Sequence, residues 1–75
     1  MIYLIAPGYT RYKDDMSLDG YATNAEEIEV LVRRYHAEYY SKITVLTVDL
    51  KANLVSCMDE DDYESFYTIF AVNPV

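Results

Sequence analysis

One segment of this chain repeats its apolar residues at the helical period, and the segments after it favour strands. Ile28, Leu31, Val32, Tyr35 and Tyr39 fall at i, i+3, i+4, i+7 and i+11, one apolar stripe of a helix. Thr23 with Glu26 spells a capping box, and Asn24 with Glu27 spells it again one residue on. Glu26, Glu27 and Glu29 stand early, and Arg33, Arg34 and Lys42 late, which suits the helix dipole; Glu29 and Arg33 add an i,i+4 pair. The pattern predicts a helix over 24–40 whose charges need no functional explanation.

The rest reads as β. Ile2 to Ala6 is a strand stopped by Pro7-Gly8, and residues 9–15 form a polar loop. Met16 to Ala22 alternates weakly and is expected to be a second strand, with Gly20 as a bulge or a close backbone approach. Ile43 to Leu50 carries Ile43 and Val45 on one face and Leu46, Val48 and Leu50 on the other. That predicts a central strand, or one face kept for a partner. Lys51-Ala52-Asn53 is a turn. Leu54 to Met58 and Phe66 to Val72 form a hairpin with an acidic loop. A C-terminal helix competes, because Tyr63, Phe66, Tyr67 and Phe70 also fit helical spacing, but Thr68, Ile69 and Val72 favour the strand. The expected fold is α+β: one domain, 1–75, with a small, mostly antiparallel sheet and one helix packed on one face.

Seventy-five residues give a small core, since a chain this short buries only about 60–65% of its unfolded surface. A homodimer would relieve that, with edge pairing through 66–72 as the expected route. Cys57 is the one cysteine, so no internal disulfide forms and no Cys-rich zinc site is available; it reads as a small buried hydrophobe. No leader and no long apolar run appear, so the expectation is a soluble cytoplasmic chain that does not enter the membrane.

No catalytic signature is present. His36, the sole histidine, sits beside the helix stripe and reads as a surface or boundary residue. Pro7-Gly8-Tyr9-Thr10 lacks phosphate-loop spacing. The acidic run fails as an EF-hand loop, because Glu64 and Phe70 occupy its sixth and twelfth positions. The chain therefore reads as non-enzymatic, with no cofactor and no metal.

What remains is charge and tyrosine. The chain carries net charge -7, nine tyrosines and no tryptophan. Residues 43–75 hold six acids against Lys51 alone, and five carboxylates fall within the six residues Asp59-Glu60-Asp61-Asp62-Tyr63-Glu64. That sign excludes direct binding to a nucleic-acid backbone. A solvated loop that keeps the hairpin soluble is the plain reading. A recognition surface aimed at a basic partner is the sharper one. The charge exceeds what solubility needs, and Tyr9, Tyr12, Tyr40 and Tyr63 lie outside the apolar periodicities. In that reading Asp59, Glu60, Asp61, Asp62 and Glu64 supply charge, and Tyr63 and Tyr67 supply contact area.

The strand at the N-terminus, the short second strand, the segment Tyr21-Ala22-Thr23-Asn24-Ala25-Glu26-Glu27 and the strand that follows resemble, over about residues 1–50, small accessory proteins of bacteriophages. These include acidic anti-CRISPR and anti-restriction inhibitors. The resemblance lies in the arrangement of elements and carries over no residue. It implies a stoichiometric inhibitor that acts in the host cytoplasm and binds where nucleic acid or another ligand should. Two other classes stay open: a homo-oligomerisation module, and a protein that sequesters a small ligand around Arg11, Lys13, Arg33 and Arg34.

Overall fold

A computed structural model describes residues 1–8, 18 and 20–73. Its elements run β1 (Ile2–Pro7), α1 (Ala25–Tyr39), β2 (Ile43–Asp49), β3 (Leu54–Asp59) and β4 (Glu64–Val72). The strands form one antiparallel sheet in the order β1-β4-β3-β2. This is the expected small α+β fold. The hairpin over 54–72 is real, and its second arm is a strand rather than a helix.

The helix begins where the sequence says. Asn24 is the N-cap, and its Oδ1 accepts the Glu27 amide at 2.9 Å. Thr23 then donates its hydroxyl to the Glu27 carboxylate at 2.7 Å. Both overlapping cap residues are thus used, one on the backbone and one on the side chain. The buried line of α1 is Ile28, Val32 and His36, each with no exposed surface, with Leu31 and Tyr35 packed at its flank. Tyr39 shares the stripe by angle but lies past the last buried turn and is 62% exposed. Ile28 and Val32 meet Ile5, Val55, Cys57, Tyr67 and Ile69 in one core.

Strand β2 does not take the central position that was one of its two expectations. Among the described residues it is an edge strand, paired only with β3 in the sheet order. Its two apolar faces are one face interrupted by a bulge: Ile43 stands opposite Asp59, yet Val45 stands opposite Met58, so Thr44 is skipped. The skip brings Ile43, Leu46 and Val48 to the core and turns Val45 outward, 61% exposed. Thr44 secures the bulge by donating its hydroxyl to the Met58 carbonyl at 3.1 Å.

Strand β4 departs in the opposite sense. It lies between β1 and β3, so residues 66–72 offer no free edge for a second copy. Pairing through them would require breaking a ladder.

The second strand expected over 16–22 and the loop over 9–15 lie largely or wholly outside the described residues. Ala22 is described: it is buried and forms an isolated antiparallel bridge to Tyr3, with backbone bonds of 2.7 and 3.0 Å. Two turns set the sheet's ends. Asp49 Oδ1 accepts the Lys51 and Ala52 amides at 3.0 and 3.1 Å, and Asn53 takes the left-handed conformation at φ 54°. At the other end Asp62 is left-handed at φ 58°. Asn and Asp tolerate that region better than most residues do.

Candidate functional site

Alternation along two strands and the four-residue repeat along α1 deliver three polar side chains to one buried point. On β3, Val55, Cys57 and Asp59 all turn inward, so Asp59 ends a line of core residues at 3% exposure. On β4, Tyr67 stands opposite Val55 and is 1% exposed. Along α1, His36 follows Ile28 and Val32 at the next fourfold step. The His36 ring lies between the other two. Its Nδ1 is 2.7 Å from the Tyr67 hydroxyl, and its Nε2 is 3.0 Å from Asp59 Oδ2.

The direction of this chain follows from chemistry. A carboxylate only accepts, so His36 Nε2–H donates to Asp59. With the neutral ring, Nδ1 is then an acceptor, and the Tyr67 hydroxyl donates to it. Burial pushes the Tyr67 phenol well above its ordinary range, so it remains a donor. The His36 bond, followed by the Tyr63 and Asp61 amides, holds the Asp59 carboxyl below the usual carboxylate value. Burial first, then the charge of Asp59, raises the Cys57 thiol. Among the described residues no buried side-chain nitrogen or oxygen lacks a partner.

Three expectations change here. Asp59 and Tyr67, expected at a contact surface, are in the core. His36, expected at the boundary, is wholly enclosed. A charged or imidazole side chain adds nothing to an apolar count, so His36 and Asp59 escape periodicity arguments, while Tyr67 was counted there among the apolar residues. The signal was present as position: His36 lies four beyond Val32, and Asp59 lies two beyond Cys57. With both ring nitrogens occupied and no exposed surface, His36 has no face to offer a substrate. What the arrangement does well is hold something in place.

It holds the acidic loop. Asp59 Oδ2 faces inward to His36, while Oδ1 accepts the Asp61 amide at 2.9 Å and the Tyr63 amide at 3.2 Å. The Asp59 carbonyl accepts the Asp62 amide at 3.0 Å, and the Asp59 amide donates to the Tyr63 carbonyl at 3.2 Å. From outside, the Glu60 amide donates to the Lys42 carbonyl at 3.0 Å, and the Ser41 hydroxyl donates to Asp61. The loop is tied to the core, to itself and to the end of α1. Glu60, Asp61, Asp62, Tyr63 and Glu64 are all exposed, Tyr63 at 66%.

Beside the loop is an open cleft of about 280 Å³, lined by Pro7, Tyr40, Tyr63, Glu64, Phe66 and Tyr67, among others. Tyr40 is the C-cap of α1 and packs its ring 5.0 Å from that of His36. Only half of the basic cluster weighed for a small ligand falls among the described residues. Arg33 donates to Glu29 and to the Ile43 carbonyl, Arg34 is exposed, and Arg11 and Lys13 lie outside the described residues, as do Tyr9 and Tyr12. Among the described residues no three His, Cys, Asp or Glu side chains are grouped to hold a metal ion, and no helix is long and apolar enough to cross a membrane. Compared with known protein families, curated proteins and solved structures, the chain matches none.

Proposed function

We propose that this chain is a non-enzymatic protein-binding inhibitor that presents its β3–β4 loop to a basic, nucleic-acid-binding surface and blocks it. The observation that carries this reading is the Asp59 anchor. One carboxylate is bound on one oxygen to a buried histidine and on the other to two amides of the loop. A loop that only keeps a hairpin soluble needs no such fastening. Fixing four exposed carboxylates and Tyr63 in advance lowers the ordering cost of binding and steers a positive partner inward. Glu60, Asp61, Asp62, Tyr63 and Glu64 form the surface, with Asp59 and Tyr67 supporting it from within. A phage-encoded inhibitor of a host defence complex, acting in the host cytoplasm, has this character.

The test spares the anchor. The variant Glu60→Gln, Asp61→Asn, Asp62→Asn, Glu64→Gln keeps side-chain size and removes four charges. Immobilised wild-type chain should retain bacterial nucleic-acid-binding proteins that the variant does not. Added in solution, it should displace nucleic acid from them, with a salt dependence that flattens in the variant. Equal retention by both chains would contradict the proposal.

The bulged edge β2 favours a second reading. Val45 is 61% exposed on a strand that, among the described residues, has no partner beyond it in the sheet order. A homo-oligomerisation module would pair two such edges. Light scattering at micromolar concentration separates the two: a monomer removes the module, and a dimer abolished by Val45→Lys supports it.

A further inference from the structure

We propose that the cleft between Tyr40 and Tyr63 receives a guanidinium or ammonium side chain of the basic partner; this rests on the loop being the recognition surface. Three features of the cleft carry the same sign. Its rim is aromatic: Tyr40 and Tyr63 are 63% and 66% exposed, with Phe66 and Tyr67 in the wall, and aromatic faces attract cations. Glu64 lies in the same wall, and Glu60, Asp61 and Asp62 stand on the adjoining loop. Tyr40 is also the C-cap of α1, so the negative end of the helix dipole points here. The only basic residue in the last helical turn is His36, which is enclosed and bound to Asp59 and Tyr67. Among the described residues no lysine or arginine lines the cleft. The described residues thus supply negative potential and π faces at one place, and none of them puts a lysine or arginine in the cleft wall.

The volume agrees. About 280 Å³ is too small for a folded element and ample for one long side chain with its water. The loop's anchor keeps Tyr63 at the rim, since its amide is one of the two that Asp59 Oδ1 accepts. The partner's charge would be drawn in by the acidic loop at long range and selected by the tyrosine rings at contact. Arginine suits this better than lysine, because its flat, weakly hydrated cation stacks on rings.

The test uses a hexa-arginine peptide and its hexa-citrulline counterpart, which has nearly the same shape and no charge. Binding is followed by amide shifts in ¹⁵N-labelled protein. Hexa-arginine should shift the amides of Tyr40 and of residues 63–66 and bind more weakly as salt rises. Hexa-citrulline should not bind. The double variant Tyr40→Leu, Tyr63→Leu keeps apolar bulk and removes the rings' π faces. With its fold verified by circular dichroism, it should bind hexa-arginine about five- to twentyfold more weakly. If hexa-arginine binds with the expected salt dependence but the double variant binds equally well, the cleft inference is overturned and the acidic-loop reading stands. Equal binding of hexa-citrulline overturns a cation site. If hexa-arginine does not bind at all, both readings fall.

Discussion

His36 Nε2 lies 3.0 Å from Asp59 Oδ2, at a point where α1 meets the end of β3 and both side chains are buried. The same carboxylate that closes this contact caps the acidic loop. Core packing and loop geometry are therefore one structure, and damage to either should appear in both.

Removing the Tyr67 hydroxyl leaves His36 Nδ1 without its donor. Tyr67→Phe preserves the ring and should lower stability by about 1–3 kcal/mol, the cost of an unsatisfied buried polar group. His36→Leu should cost more, about 3–5 kcal/mol, because it strands a buried carboxylate. Urea denaturation read by circular dichroism gives both values. A His36→Leu variant as stable as wild type would mean that the ring is not part of the core.

The acid side of the stability curve should carry the mark of Asp59. Its folded pKa lies below its unfolded value, so its contribution is complete above the unfolded value of about 3.9 and is lost as pH falls through the lower, folded one. The loss therefore begins below about pH 4. In Asp59→Ala the denaturation midpoint should be lower at neutral pH and should change less between pH 5 and pH 2.5. An unchanged acid slope would place the titration elsewhere.

At the helix start Asn24→Ala should cost about 0.5–2 kcal/mol, since Asn24 satisfies a backbone amide. Thr23→Ala should cost less, because that hydroxyl binds an exposed carboxylate. Within the helix Ile28→Ala should cost about 2–5 kcal/mol and Leu31→Ala less, in line with full burial against partial burial. Equal effects at 28 and 31 would shift the buried line.

The elements made of repeated apolar residues were legible. A cap followed by a stripe names a helix, and β-branched alternation names the last hairpin. Strand β2 is not the central strand that its two apolar faces suggest, because a bulge shifts the inward face by one residue, and Thr44 gives no sign of being skipped. The edge positions were not legible either, because strand order depends on which ladder each strand closes. The site was half visible. Glu60, Asp61, Asp62, Tyr63 and Glu64 are exposed as charge density suggests, while the anchor depends on polar residues standing where hydrophobes would be expected.

Backbone ¹⁵N relaxation across residues 60–63 tests the central claim most directly. If Asp59 and His36 fasten the loop, these amides should be as rigid as the flanking strands in the wild type, with order parameters of about 0.85. In folded Asp59→Ala they should fall below about 0.6 while β3 and β4 keep their values. A loop already mobile in the wild type, or equally rigid without Asp59, would contradict the account.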